Sequence, residues 1–137
     1  MKSEVLQKYV GVAKTETNRD GPDNSEGLVN FQAFGLLRGI RERAVMLELR
    51  HKDGRIDAFA YAWLGKVSFD PSDGITLRFG GETVTIKGRN LNAEVQPNVR
   101  LFAALVRHRV PYIQEADGPQ AMMATRGALI VDQITVK

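Results

Sequence analysis

Residues 44–70 read AVMLELRHKDGRIDAFAYAWLGKVSFD, and how this stretch is read decides the fold. Val45, Leu47 and Leu49 alternate with Met46, Glu48 and Arg50, the period-two pattern of a strand with one drier face. Asp53-Gly54 follows, a dipeptide that tolerates the positive φ of a tight hairpin turn. From Ile56 to Phe69 both parities are apolar. Phe59, Tyr61, Trp63, Val67 and Phe69 share one side, while Ile56, Ala58, Ala60, Ala62 and Leu64 share the other. One long strand of this composition is expected to be covered on both faces, with Gly65 the place for a bend or bulge. The small side chains of Ala58, Ala60 and Ala62 admit close approach by another element. That element is either a helix of the same chain or a neighbouring subunit, so these alanines are the expected subunit contact.

Outward from this stretch, residues 70–74 (DPSDG) predict a turn. Ile75, Leu77 and Phe79 then alternate with Thr76 and Arg78, Gly80-Gly81 marks a second hairpin, and Val84 and Ile86 alternate with Thr83, Thr85 and Lys87. The core is therefore four strands in meander order over 44–91. Before it, Leu28, Phe31, Phe34, Leu37 and Ile40 recur at three- and four-residue spacing and predict a helix over 28–43. Arg38, Arg41 and Arg43 fall in its last turns, where cations suit the helix dipole. After the meander, residues 88–91 predict a turn, and Gln96-Pro97-Asn98 opens a helix to about Arg109. Val99, Phe102, Ala103, Val106 and Val110 form its apolar stripe, extended by Leu101 and Leu105, with Arg100 and Arg107 on its exposed face. Residues 112–116 predict a strand, 117–119 a turn, and 129–136 a final strand with Ile130, Ile134 and Val136 inward.

The expected fold class is α+β: a strongly bent antiparallel β-meander, small and barrel-like, with an N-terminal helix and a C-terminal helix plus strand. Residues 1–27 are expected to be a mobile arm and 28–137 a single domain, which 137 residues suit. The chain lacks cysteine, which removes disulfides and thiolate zinc sites. No apolar run is long enough to span a bilayer, and no secretory pattern opens the chain, so a cytoplasmic, bacterial-type protein without a membrane role is expected.

Catalytic patterns are missing from the sequence. It holds no nucleophile elbow, no phosphate-binding glycine loop and no dinucleotide fingerprint. His51 and His108 stand without metal-ligand spacing, and Asp53, Asp70, Asp73, Glu115 and Asp117 read as solvated turn residues. The expectation is a non-enzymatic domain with no catalytic residue, metal, cofactor or small-molecule substrate.

The basic excess sits in the middle of the chain. Residues 31–109 carry thirteen Lys and Arg against eight Asp and Glu, whereas both flanks are slightly acidic. Such a field attracts polyanions. Lys87, Arg89, Arg100, Arg107 and Arg109 are the expected phosphate-neutralising set for RNA or single-stranded nucleic acid, with Tyr61 or Trp63 as stacking surfaces. The alternative is a homo-oligomeric structural or protein-interaction module without a nucleic-acid role. Self-association and nucleic-acid binding are compatible, since a ring of subunits concentrates basic groups.

The order of features over 34–91 resembles the Sm-like superfamily, including its bacterial RNA chaperone. An expected helix rich in arginine, FGLLRGIRERAV, leads into the strand MLELRHKDGRI, then a long bent strand, a hairpin and VTIKGRNL. Lys87-Gly88-Arg89-Asn90 is similar to the basic-Gly turn of the second Sm motif. The resemblance implies a helix capping a strongly bent five-stranded barrel, assembly into rings, and binding of single-stranded RNA. The segment after Pro97 has no counterpart there. GRNL followed by a helix ending in RHRV also resembles uncharacterised bacterial proteins.

Overall fold

The computed structural model describes residues 27–137; the expected arm over 1–27 thus falls, apart from Gly27, outside the described residues. The strands are β1 (Leu28–Asn30), β2 (Gly35–Leu37), β3 (Met46–Arg50), β4 (Ile56–Ala60), β5 (Leu64–Asp70), β6 (Gly74–Phe79), β7 (Glu82–Arg89), β8 (Glu94–Gln96) and β9 (Val99–Arg100). Helix α1 (Leu101–Val106), strand β10 (Tyr112–Gln114), helix α2 (Gly118–Met123) and strand β11 (Ile130–Val136) complete the order. The molecule is β-rich, with several sheets, two short helices and no closed barrel among the described residues.

Two sheets and α1 enclose the core. The first sheet has the order β10-β3-β4, with β3 and β4 antiparallel and β10 parallel to β3. The second has the order β11-β7-β6-β5, antiparallel throughout. The alternation read from the sequence sets the inner faces: Leu47 and Leu49, Ile75 and Leu77, and Val84 and Ile86 are all fully buried. Ile130 and Ile134 of β11 are buried, as expected; Val136 is half-buried, and at the register shift after Val131 that residue is buried too. Phe59 stacks on Phe79 with ring centroids 5.0 Å apart, which joins the two sheets, and Phe102 of α1 lies 6.5 Å from Phe69 of β5.

Residues 56–69 are not one long strand. β4 ends at Ala60, and a single 3-10 turn over Tyr61–Trp63 carries the chain from the first sheet into the second. Tyr61 is the buried residue of that turn: its hydroxyl donates to the Val110 carbonyl at 2.7 Å, and its ring stacks on His108 at 4.6 Å. Tyr61 is therefore core rather than a stacking surface. Gly65 does take the expected bulge, at a register shift between Leu64 and Lys66. The alanine side is covered only in part among the described residues: Ala58 and Ala62 are exposed and Ile56 is 59% exposed, whereas Ala60 is half-buried and Leu64 packs against the core.

The helix expected over 28–43 is instead the β1–β2 hairpin followed by an irregular segment. The apolar residues that suggested helical spacing serve separate sites. Phe34 is fully buried and bridges to Ile113, Gly35 lies against the Tyr112 ring, and Ile40 is exposed. The second expected helix shrinks to six residues. Gln96 ends β8, Asn98 takes a φ of 65° in the β8–β9 turn, and α1 begins only at Leu101. Its buried residues are Leu101 and Leu105, the expected extension of the stripe, together with Ala104; Val110 beyond the helix is also buried, whereas Val106 is 50% exposed. The turn expected over 117–119 becomes the start of α2, where Asp117 and Gln120 form a reciprocal capping box.

Glu115 is not a solvated turn carboxylate. It is buried, accepts the Lys52 amide at 2.9 Å and the Ile134 amide at 2.6 Å, and lies 3.7 Å from His51 Nδ1. His51 Nε2 meets Asp57 at 3.1 Å. This knot ties the β3–β4 turn to β10 and β11, and its groups are engaged in holding the fold.

Gly88 shows how closely β7 and β11 approach. A Cβ there would stand 1.9 Å from the Ile130 carbonyl oxygen, whereas one on Gly65 would come no nearer than 4.0 Å to a neighbour. Gly88→Ala is expected to lose about 1–3 kcal/mol of stability, and Gly65→Ala to change it by no more than ~0.5 kcal/mol. Urea unfolding midpoints of the two variants check this; equal midpoints contradict it.

Burial pushes the Tyr61 phenol well above the usual tyrosine range, because the ionised form would lose its solvation in the core. The unfolded chain releases this proton near pH ~10 and the folded chain only above that. Folding is then penalised as pH rises past ~10, by at most about 1.4 kcal/mol per unit. At neutral pH Tyr61→Phe is expected to cost about 1 kcal/mol. Above pH ~10 the stability advantage of the native chain over that variant should shrink. Denaturant midpoints at the two pH values test it, and a constant gap contradicts it.

Candidate nucleic-acid interface

Three of the five expected phosphate-binding residues converge. Arg100, Arg107 and Arg109 line one open groove of about 350 Å³ together with Leu36, Asn98, Val99, Ala103 and Ala104. No carboxylate is among these residues. Leu36 and Ala104 are buried, so the groove has an apolar floor and a cationic rim. Arg100 comes from the end of β9, and Arg107 and Arg109 come from the segment that closes α1.

The backbone around α1 fixes these side chains. The Arg107 amide donates to the carbonyls of Ala103 and Ala104, and His108 takes a φ of 59°, which turns the chain. The Arg109 amide then returns to Ala104 at 2.9 Å, while its carbonyl accepts from Leu37 at 2.8 Å. Arg100 Nη1 donates to the Asn92 carbonyl at 2.6 Å and Arg109 Nη2 to the Ile40 carbonyl at 3.1 Å. Arg109 Nε is buried without a hydrogen-bond partner among the described residues. Arg107 is exposed, and its side chain enters none of the hydrogen bonds or ion pairs among the described residues. Guanidinium groups left with unused donors around one groove suit a bound oxyanion.

The other two residues of the set stand apart. Lys87 lines a separate cleft of about 600 Å³ that also holds Asp73 and Asp132. Arg89 is occupied: its Nη2 donates to the Ala121 carbonyl at 3.1 Å and lies 3.6 Å from Asp132. The loop carrying Asn92 connects the two regions, since Asn92 lines the cleft and its carbonyl holds Arg100.

Of the two aromatic candidates, Tyr61 is inside, while Trp63 is 69% exposed. Lys66, Arg78 and Lys137 stand outside the expected set. The register places Lys66 opposite Arg78, and reciprocal 2.9 Å backbone hydrogen bonds place Thr83 beside Lys137. The signal was present, because in β5, β6 and β7 the parity opposite the buried residues holds Lys66, Ser68, Thr76, Arg78, Thr83, Thr85 and Lys87.

Among the described residues no group of three or more His, Asp or Glu side chains is placed to hold a metal ion, and no helix is long and apolar enough to cross a membrane. Comparison with protein-family models, with curated proteins and with solved structures gave no match for this chain.

Proposed function

We propose that the protein is a binding module for RNA or single-stranded DNA, with the groove of Arg100, Arg107 and Arg109 as its phosphate site. The observation that carries this reading is that three arginines line one groove whose lining holds no carboxylate; Glu94, opposite Arg100 on β8, accepts the Asn98 amide at 3.1 Å and enters no ion pair among the described residues. Placing like charges together costs free energy unless an anion offsets it. Three arginines supply enough donors to grip phosphate oxygens in pairs. A groove open to solvent suits a chain that passes along it, and the binding needs no catalytic group.

Fluorescence polarisation with labelled oligo(U) and oligo(dT) tests the proposal. Affinity should fall steeply between ~50 and ~200 mM salt. Arg107→Ala should weaken binding to all sequences alike and flatten the dependence of log K on log salt by about 0.7. No binding at ~50 mM salt ends the proposal.

Self-association is a second reading, favoured by the edge of β4. Tyr61 donates to Val45 and His51 to Arg55, so in an antiparallel ladder the odd residues of β4 bond β3. The amides and carbonyls of Ile56, Ala58 and Ala60 then point to the other edge, which carries no further strand among the described residues. Exposed Val45, Met46 and Ile56 lie beside it. A second copy could add its own β4 there. Ala62 lies in the 3-10 turn beyond the strand and has no place in such a ladder. Sedimentation over a wide concentration range should reveal a dimer that Ala58→Lys shifts toward monomer; a clean monomer removes this reading.

A further inference from the structure

We infer that the outer face of the β11-β7-β6-β5 sheet is a second contact for the same single strand: a base stacks on Trp63, and phosphates follow a row of cations across the strands. The inference rests on the nucleic-acid reading but not on the arginine groove.

The row is set by register. Lys66 on β5 faces Arg78 on β6, Arg78 faces Thr83 on β7, and Thr83 pairs with Lys137 directly after β11. Their neighbours of the same parity on each strand are the inward side's opposites, because Val67, Leu77 and Val84 lie on the core side. The row spans three strand spacings, about 14 Å, and is longer than one phosphate. The next row along the sheet is made of hydroxyls, with Ser68 opposite Thr76 and Thr76 opposite Thr85. Like charges facing each other across a ladder destabilise it. None of the ion pairs among the described residues involves Lys66, Arg78 or Lys137.

A polar sheet face alone suits plain solvation. Solvation does not account for the indole at its end. The Gly80 amide donates to the Trp63 carbonyl at 3.1 Å, and a Cβ on Gly80 would come within 3.8 Å of the Trp63 ring. Gly80 opens the turn directly after β6, two residues from Arg78, so the exposed indole lies at the same end of the sheet as the cation row. Asp70 ends β5 and Asp73 stands in the turn after it; both line a shallow pocket of this face together with Lys66 and Arg78, and neither forms an ion pair with them among the described residues. An exposed aromatic ring beside a row of cations is the combination that holds single-stranded nucleic acid without reading its sequence.

Trp63 is the one tryptophan of the chain, so its emission reports on this site alone. Titration with oligo(U) or oligo(dT) at ~50 mM salt should quench it along the same isotherm as polarisation. Trp63→Ala and the double variant Lys66→Ala, Arg78→Ala should each weaken binding about tenfold. Binding that depends on Arg107 with Trp63 emission unchanged, and with the double variant binding normally, overturns this inference and leaves the groove reading intact. Quenching together with indifference to Arg107→Ala supports this face and overturns the groove. No binding in either readout overturns both. An emission shift that reverts on dilution of the protein alone marks Trp63 as a contact between copies and overturns the inference.

Discussion

The corner at Tyr61 governs the architecture. A chain with apolar residues at every position from 58 to 64 has no polar side to turn toward water, and an uninterrupted strand would bury all of it or none. The corner resolves this by sending one aromatic ring inward. Tyr61 fills the space against His108 and satisfies its hydroxyl on the Val110 carbonyl. Phe59 before the corner and Phe79 beyond it can then stack, so the two sheets share one core. Trp63, two residues on, is turned outward by the same geometry. The same Val110 leads directly into β10, so the corner also sets where the parallel partner of β3 begins.

Where apolar alternation is strict and turns are marked by glycine, the sequence is enough. β3, β6 and β7, the hairpins at Gly54 and Gly80, the bulge at Gly65 and the final strand were all legible, because period two with a buried face allows one register. The segment 28–43 was not legible. Its apolar spacing fits a helix, but Gly35 is required where the Tyr112 ring leaves no room for a Cβ, and Phe34 is required beside Ile113. Both demands come from residues far along the chain, and local pattern carries no trace of them. α1 was legible in part for a related reason. Its buried side is chosen by the sheet it covers, so Leu101 and Leu105, which only extended the expected stripe, turn inward with Ala104, while Val106 of the stripe is left exposed.

The cationic groups follow the same logic. Residue type and segment charge singled out Arg100, Arg107 and Arg109, and the left-handed turn at His108 brings Arg109 back to the rim beside Arg107. Lys87 and Arg89 looked equivalent to them in sequence, yet Arg89 is paired with Asp132 and Lys87 lines a cleft that also holds Asp73 and Asp132. Glu115 is the converse. Among turn-like residues nothing in the local sequence distinguishes it, and its role as acceptor for Lys52 and Ile134 exists only once three separated segments meet.

The parallel pairing of β10 with β3 has a consequence for the order in which the molecule assembles. The meander β5-β6-β7 closes through short loops and can form while little else is in place. Glu48, in contrast, must wait for Tyr112 before the first sheet has both neighbours, and the hairpin β3–β4 is until then a ribbon with two unpaired sides. Closing that long loop is entropically slow. During synthesis the ribbon is thus open to strangers for as long as β10 is still unmade, which makes it the vulnerable moment in the biogenesis of this fold.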